Sequence, residues 1–348
     1  MLDAGIVPDE LIAQRDAFIS IDEAIRAYLT SHSLVTSEIA LLGRLMDRWK
    51  KEPLTLVNYQ WAESWIRSMK RVDNMAPSTI RHYVGALARC FDWVVTSGST
   101  LLPVNPLRLL PKRYATYNAE DGAVVKTQNK LVKVDVCRDR RLSVDEESAV
   151  RRILAGHKPE GRQRALTLHY APAIAFLFEL AIESAMRMRE MYTLTLDQVD
   201  TGRRTIFLDK TKNGSKRQVP MTSIAIGAFE SYVARVQSGD LAMQGFTFAS
   251  GMVFPWWHGS KNTEPDAIRD LNLRNVTLQL SRQYARIFDA AACVNLTFHD
   301  LRHEATSRLF EKTSLSDLQI AKITGHTDPR VLMRYANLRG SELARMLW

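Results

Sequence analysis

H-D-L-R-H at residues 299–303, T-G-H at 324–326 and Tyr335, nine residues past His326, decide how the rest of this chain is read. His299, Arg302, His326 and Tyr335 are the residue types a site needs if it handles a phosphodiester with protein groups alone. A tyrosine hydroxyl, with a pKa of about 10, attacks phosphorus poorly unless a base takes its proton and the added negative charge is neutralised. Guanidinium suits that charge, because its planar fork donates two parallel hydrogen bonds and keeps its proton.

Working upstream, E-S-A-M-R-M-R-E-M-Y-T-L at 183–194 supplies Arg187, with Glu190 three residues on, and T-K-N-G-S-K-R-Q-V-P at 211–220 supplies Lys212. Arg187 and Arg302 would neutralise the non-bridging oxygens. Lys212, at the tip of a hairpin, would protonate the departing 5′ oxygen. His299 would accept the tyrosine proton or bind a phosphate oxygen, and His326 would hydrogen-bond the phosphate. Neither a metal nor a cofactor is required by this chemistry.

Each residue also has a plainer reading. Arg187 is a cation at a helix end, where the dipole favours one, and Arg189 rivals it. Lys210 and Lys216 share the basic turn with Lys212. His303 reads as a structural neighbour of His299. The two histidines, at i and i+4, are also spaced to ligate zinc, although H-E-x-x-H is absent and no third ligand is evident. H-x-x-R by itself arises by chance about once in several hundred positions, so the joint order of residues carries the argument.

The chain has 348 residues, 46% of them hydrophobic, which is enough for two cores. A net charge of +9 favours a polyanionic partner without identifying one. Cys90, Cys137 and Cys293 are odd in number and far apart, so they build neither a disulfide framework nor a four-thiolate zinc site. No run approaches the roughly 18 apolar residues of a membrane span, and the first ten residues carry acids where a signal peptide carries bases. A soluble, cytoplasmic protein with no membrane partner is expected.

Residues 18–110 read as a bundle of about four helices after an N-terminal tail over 1–17. Ser20, with Glu23 three residues on, predicts a capping box for the first. The second runs from about Thr36 to Trp49 and the third from about Val57 to Met69. In the fourth, A-P-S-T-I-R-H-Y-V-G-A-L-A-R-C-F-D-W-V-V at 76–95, Ser78 is the expected cap. Ile80, Tyr83, Val84, Leu87, Phe91 and Val94 form its apolar stripe, and Arg81, His82 and Arg89 lie on the opposite face. Residues 111–140 have no sustained period and are rich in lysine, which predicts an extended basic linker. Ser143 caps the next helix, and Pro172–Ala185 is apolar all round. R-T-I-F-L at 204–208 and R-Q-V-P-M at 217–221 flank an Asn-Gly turn and form a β-hairpin with a basic tip.

The order Arg187, Lys212, His299, Arg302, His326, Tyr335 resembles that of the tyrosine recombinase (phage integrase) family. The resemblance implies a mainly α fold with a small β-sheet, arranged as a two-domain C-shaped clamp: a helical core-binding domain at 18–110 and a mixed α/β catalytic domain at 141–348. It implies a site-specific recombinase that cuts one strand of double-stranded DNA at a time through a 3′-phosphotyrosyl bond and works as a homotetramer. Tyr335 is then the nucleophile, Lys212 the general acid, and Glu190 and His303 supporting residues. Arg81, His82, Arg89, Lys210 and Lys216 are the expected DNA contacts. A terminal helix at 341–348, capped by Ser341, would dock on a neighbouring protomer or fold back on its own core. With about 17 residues before the first helix, no separate arm-binding domain is expected. The sequence departs from the family at S-A-M-R, 184–187, where Ala185 replaces a glycine, and at T-G-H in place of Leu-Gly-His. A type IB topoisomerase and a catalytically silent DNA-binding regulator are the alternative readings.

Overall fold

The computed structural model describes residues 18–135, 138–209, 216–259 and 265–336. The chain divides into two compact units, Met1–Cys137 and Arg138–Trp348.

The first unit holds α1 (Ile21–Ser31), α2 (Thr36–Arg48), α3 (Tyr59–Arg71), α4 (Pro77–Thr96) and α5 (Ala119–Thr127). Its core is set by α4, where Ile80, Val84, Leu87, Phe91 and Val94 are buried as the 3.6-residue period requires. Tyr83 sits at the edge of that stripe, and its hydroxyl accepts a hydrogen bond from Arg44 Nε at 2.8 Å. Trp49, Trp61 and Trp65 pack mutually, with centroids 4.7–5.7 Å apart.

Three local expectations are corrected. Ser20 makes no capping bond; its hydroxyl donates to Asp22 Oδ1, and Glu23 accepts from the Ile19 amide instead. Helix α4 begins at Pro77, whose missing N–H costs nothing in the first turn, so Ala76 rather than Ser78 is the N-cap. The stretch expected to be an extended linker contains α5. A reciprocal capping box between Asn118 and Asp121 starts this helix. Asp121, almost fully buried, then ties it to α3 through Lys70 Nζ at 3.1 Å and Arg71 Nε at 2.7 Å. A nine-residue helix anchored by charge leaves little apolar period to read.

The second unit contains α6 (Val144–Leu154), α7 (Ala171–Ser184), α8 (Met188–Tyr192), strands β1 (Val199–Asp200), β2 (Thr205–Leu208) and β3 (Arg217–Pro220), then α9 (Ser223–Gln237), α10 (Asp266–Ala290), α11 (Phe298–Lys312), α12 (Asp317–Thr324) and α13 (Met333–Ala336). Ser143 and Glu146 form the capping box of α6. Helix α7 is the buried axis, with Ile174, Leu177, Phe178 and Leu180 inaccessible, and α9 and α11 pack on it. The antiparallel sheet has the order β1-β2-β3, with Ile206 opposite Val219 and Leu208 opposite Arg217. The Asn-Gly turn at 213–214 lies outside the described residues. Among those described, no helix is long and apolar enough to cross a membrane.

Candidate active site

Helix α11 carries His299, Arg302 and His303, and buried charge fixes its position. Asp300, wholly inaccessible, caps the first turn by accepting from the Thr297 amide at 2.7 Å and the Thr297 hydroxyl at 2.8 Å. The same carboxylate accepts Arg138 Nε at 2.5 Å and Nη2 at 2.6 Å. One turn on, Glu304 accepts from Arg141 Nε at 2.7 Å and Arg308 Nε at 2.9 Å. These anchors fix the rotation of the helix, and with it the direction in which Arg302 points.

Arg302 is 5% exposed. Its Nη1 donates to the Ala185 carbonyl at 2.5 Å and its Nη2 to the Thr324 carbonyl at 2.7 Å, which sets the plane of the guanidinium. Burial and the neighbouring Arg187 pull its pKa down to about 10, so it stays charged at neutral pH. Ala185 adopts φ 54° and ψ 19°, the left-handed conformation a glycine takes without strain. His326 Nε2 lies 3.3 Å from Arg302 Nη2. A guanidinium can only donate, so Nε2 is the acceptor and the imidazole proton sits on Nδ1. That nitrogen meets the Thr324 hydroxyl at 2.7 Å, which itself donates to the Ile320 carbonyl at 2.8 Å.

Arg187 caps α8 through Glu190, which accepts from the Arg187 amide at 2.8 Å and from Nη1 at 2.9 Å. Its Nη2 reaches the Gly325 carbonyl at 3.4 Å. Glu190 is also clamped by Arg217, whose Nη1 and Nη2 donate at 3.0 and 2.7 Å. Burial would raise the Glu190 carboxyl, but the hydrogen bonds and charge of Arg217, with the charge of Arg187, hold it below 4.5. Arg217 was missed by the sequence reading. The available signal was strand alternation, which puts it on the same face as buried Val219.

His299 is exposed, yet it is crowded by protein; that desolvation, with the charge of Arg302, holds its imidazole below the usual 6.5. It opens with Arg187 and Arg302 onto a cavity of about 320 Å³ that Met186, Thr277 and Ser281 also line. Tyr335 is 6% exposed and stacks on Phe310 with centroids 5.7 Å apart. Its hydroxyl lies 2.5 Å from His303 Nδ1, so His303, expected only to support the site, holds the phenol.

Lys210 and Lys212 lie outside the described residues, as does 341–348; Lys216 is exposed. In the first unit Arg81 pairs with Asp135 at 2.7 Å and Arg89 with Glu38 at 2.7 Å, while His82 is exposed. Among the described residues no three His, Cys, Asp or Glu side chains are grouped to hold a metal ion.

A model of the phage integrase family matches residues 162–342. The chain is 32% identical over 247 residues to a shufflon-specific DNA recombinase of Escherichia coli, covering 69% of this chain and 52% of that protein. It therefore spans about half the length of that relative. A putative integrase/recombinase of Haemophilus influenzae is 27% identical over 328 residues, covering 90% of this chain and 71% of its own length. The fold is similar to that of the Tn1549 transposon integrase (residues 82–397) in complex with circular intermediate DNA, at 17% identity and TM-score 0.59 over 94% of this chain and all of that one. It is also similar to lambda integrase in a tetramer bound to a Holliday junction, at 15% identity and TM-score 0.58 over 93% of this chain and 82% of that one.

Proposed function

The chain belongs to the phage integrase family, and from that premise we propose that it cleaves and rejoins duplex DNA at specific sites, one strand at a time, through a 3′-phosphotyrosyl bond to Tyr335. The observation that carries this reading is the convergence of Arg187, Arg302 and His326 around the Ala185 and Gly325 turns, with the Tyr335 hydroxyl held by the residue next to Arg302.

Arg187 and Arg302 bind the non-bridging oxygens and stabilise the charge that grows on phosphorus. Both are already oriented by protein carbonyls, so little reorganisation accompanies phosphate binding. His326, with its proton on Nδ1, offers Nε2 towards Arg302 and hydrogen-bonds the phosphate once that ring turns or protonates. His299 contacts the phosphate from the exposed side. Lys212 protonates the leaving 5′ oxygen, with Lys210 and Lys216 contacting the backbone beside it. Neither metal nor nucleotide enters the reaction.

Arg81, His82 and Arg89 contact DNA from the first unit, and Arg81 and Arg89 must then exchange Asp135 and Glu38 for phosphates. Such an exchange makes binding salt-dependent. The protein acts in the cytoplasm as a homotetramer on paired duplexes, and 341–348 docks on a neighbouring protomer. The test is a duplex library of random sequence with a nick beside the cleavage position, incubated with the full chain in chelator. A protein–DNA adduct that survives denaturant and disappears in Tyr335→Phe supports the reading. Sequence-selective binding with no adduct on any duplex overturns it in favour of a silent regulator.

A further inference from the structure

Resting on the proposed strand cleavage, we infer that His303 is the base that takes the Tyr335 proton. Two histidines on α11 compete for that role. His299 and His303 are one turn apart, with ring centroids 5.1 Å apart and planes at 89°. His303 Nδ1 lies 2.5 Å from the phenol oxygen, close enough for direct proton transfer. His299 instead faces the cavity shared with Arg187 and Arg302, where it meets the phosphate.

The surroundings of the pair fit the step. Stacking on Phe310 and burial with Ile320 and Leu332 fix the Tyr335 ring, which holds its oxygen against His303 Nδ1. A bound phosphate brings negative charge into the site, and nearby negative charge favours the imidazolium that forms as the proton moves.

In the forward step the Oη–H bond breaks and its proton passes to His303 Nδ1 as Oη bonds to phosphorus. The P–O5′ bond breaks, and the departing oxygen takes a proton from the general acid. Religation reverses each transfer: His303 Nδ1 returns its proton to the phenolate oxygen as Tyr335 leaves.

Asparagine can place a carbonyl oxygen near the Nδ1 position, so His303→Asn keeps a hydrogen bond to Tyr335 but cannot take the proton. The duplex captured by the wild-type chain from the nicked random library serves as substrate, read as single-turnover adduct formation. Cleavage by His303→Asn is expected to fall by about 10²–10⁴-fold, the usual contribution of a positioned base. A substrate with sulfur as the 5′ bridging atom, whose departure needs no acid, is expected not to restore it. A rate within threefold of wild type, an increase, or rescue by the sulfur substrate overturns the assignment and makes His303 a latch or a part of the acid machinery. Independently of any variant, ¹⁵N spectra of the wild-type protein are expected to show His303 Nδ1 unprotonated. A proton on Nδ1 would make it the donor to Tyr335 and refute its role as base. If the wild-type chain captures no duplex, the failure is that of the cleavage reading and removes this proposal with it.

Discussion

Gly325→Ala probes the packing of the site through the turn whose carbonyl meets Arg187. Gly325 closes α12 at φ 72° and ψ 35°, and a Cβ there would stand 2.6 Å from Arg217 Nη1 and 2.9 Å from its Cζ. Alanine in the left-handed region costs roughly 1–2 kcal/mol. The guanidinium must also withdraw. Arg217 and Glu190 side chains are only 7% and 8% exposed, so a hydrogen bond lost between them is not replaced by water. One charge-assisted bond contributes about 1.5–3 kcal/mol, which brings the expected loss to about 2.5–5 kcal/mol. Gly251 provides the control, because its φ is 73° and nothing lies within 4 Å of its missing Cβ. Gly251→Ala should therefore show only the backbone cost of roughly 1–2 kcal/mol. Urea unfolding of both variants measures the difference. Equal losses would refute the claim that Arg217 is seated against the α12 turn.

Arg138→Ala leaves the inaccessible Asp300 with its capping bonds alone; because Arg138 is 35% exposed, the expected loss is at the low end for a buried pair, about 1–3 kcal/mol, read as a lowered Tm. Unchanged melting would show that the strap does not hold α11. Glu190 has a carboxyl held below 4.5, so its contribution to stability is complete above that pH and is lost as pH falls through the lower folded value. The stability deficit of Glu190→Gln should accordingly be largest at neutral pH and shrink in acid; a deficit constant between about pH 7 and pH 3 would contradict the clamp with Arg217. Arg302→Lys keeps the charge but loses the fork, and adduct formation should fall by about 10²–10³-fold with DNA binding retained. A matching loss of binding would mean that Arg302 serves affinity instead.

The mainly helical fold with its small sheet was legible because its signals are local. The stripe from Ile80 to Val94 and the apolar run of α7 depend on spacing alone. Helix α5 escaped because its anchors, Lys70 and Arg71, lie about fifty residues upstream and act by charge. In the candidate site, residue types and order were readable, but pairings were not. His303 meets Tyr335 across 32 residues, and Arg217 meets Glu190 across 27, and neither distance in sequence carries a period. Ala185 escaped for a different reason: its residue type does not announce the left-handed conformation that this buried alanine takes, with its carbonyl bound by Arg302.

The central claim is that the Tyr335 oxygen bonds to phosphorus without an ion. Trypsin cuts after Arg334 and Arg339, which releases Y-A-N-L-R at 335–339. Mass spectrometry of the adduct formed in chelator, after nuclease and trypsin digestion, should find this peptide carrying a nucleotide 3′-phosphate on Tyr335. A nucleotide on any other residue, or an adduct that forms only when divalent metal is restored, would contradict the account.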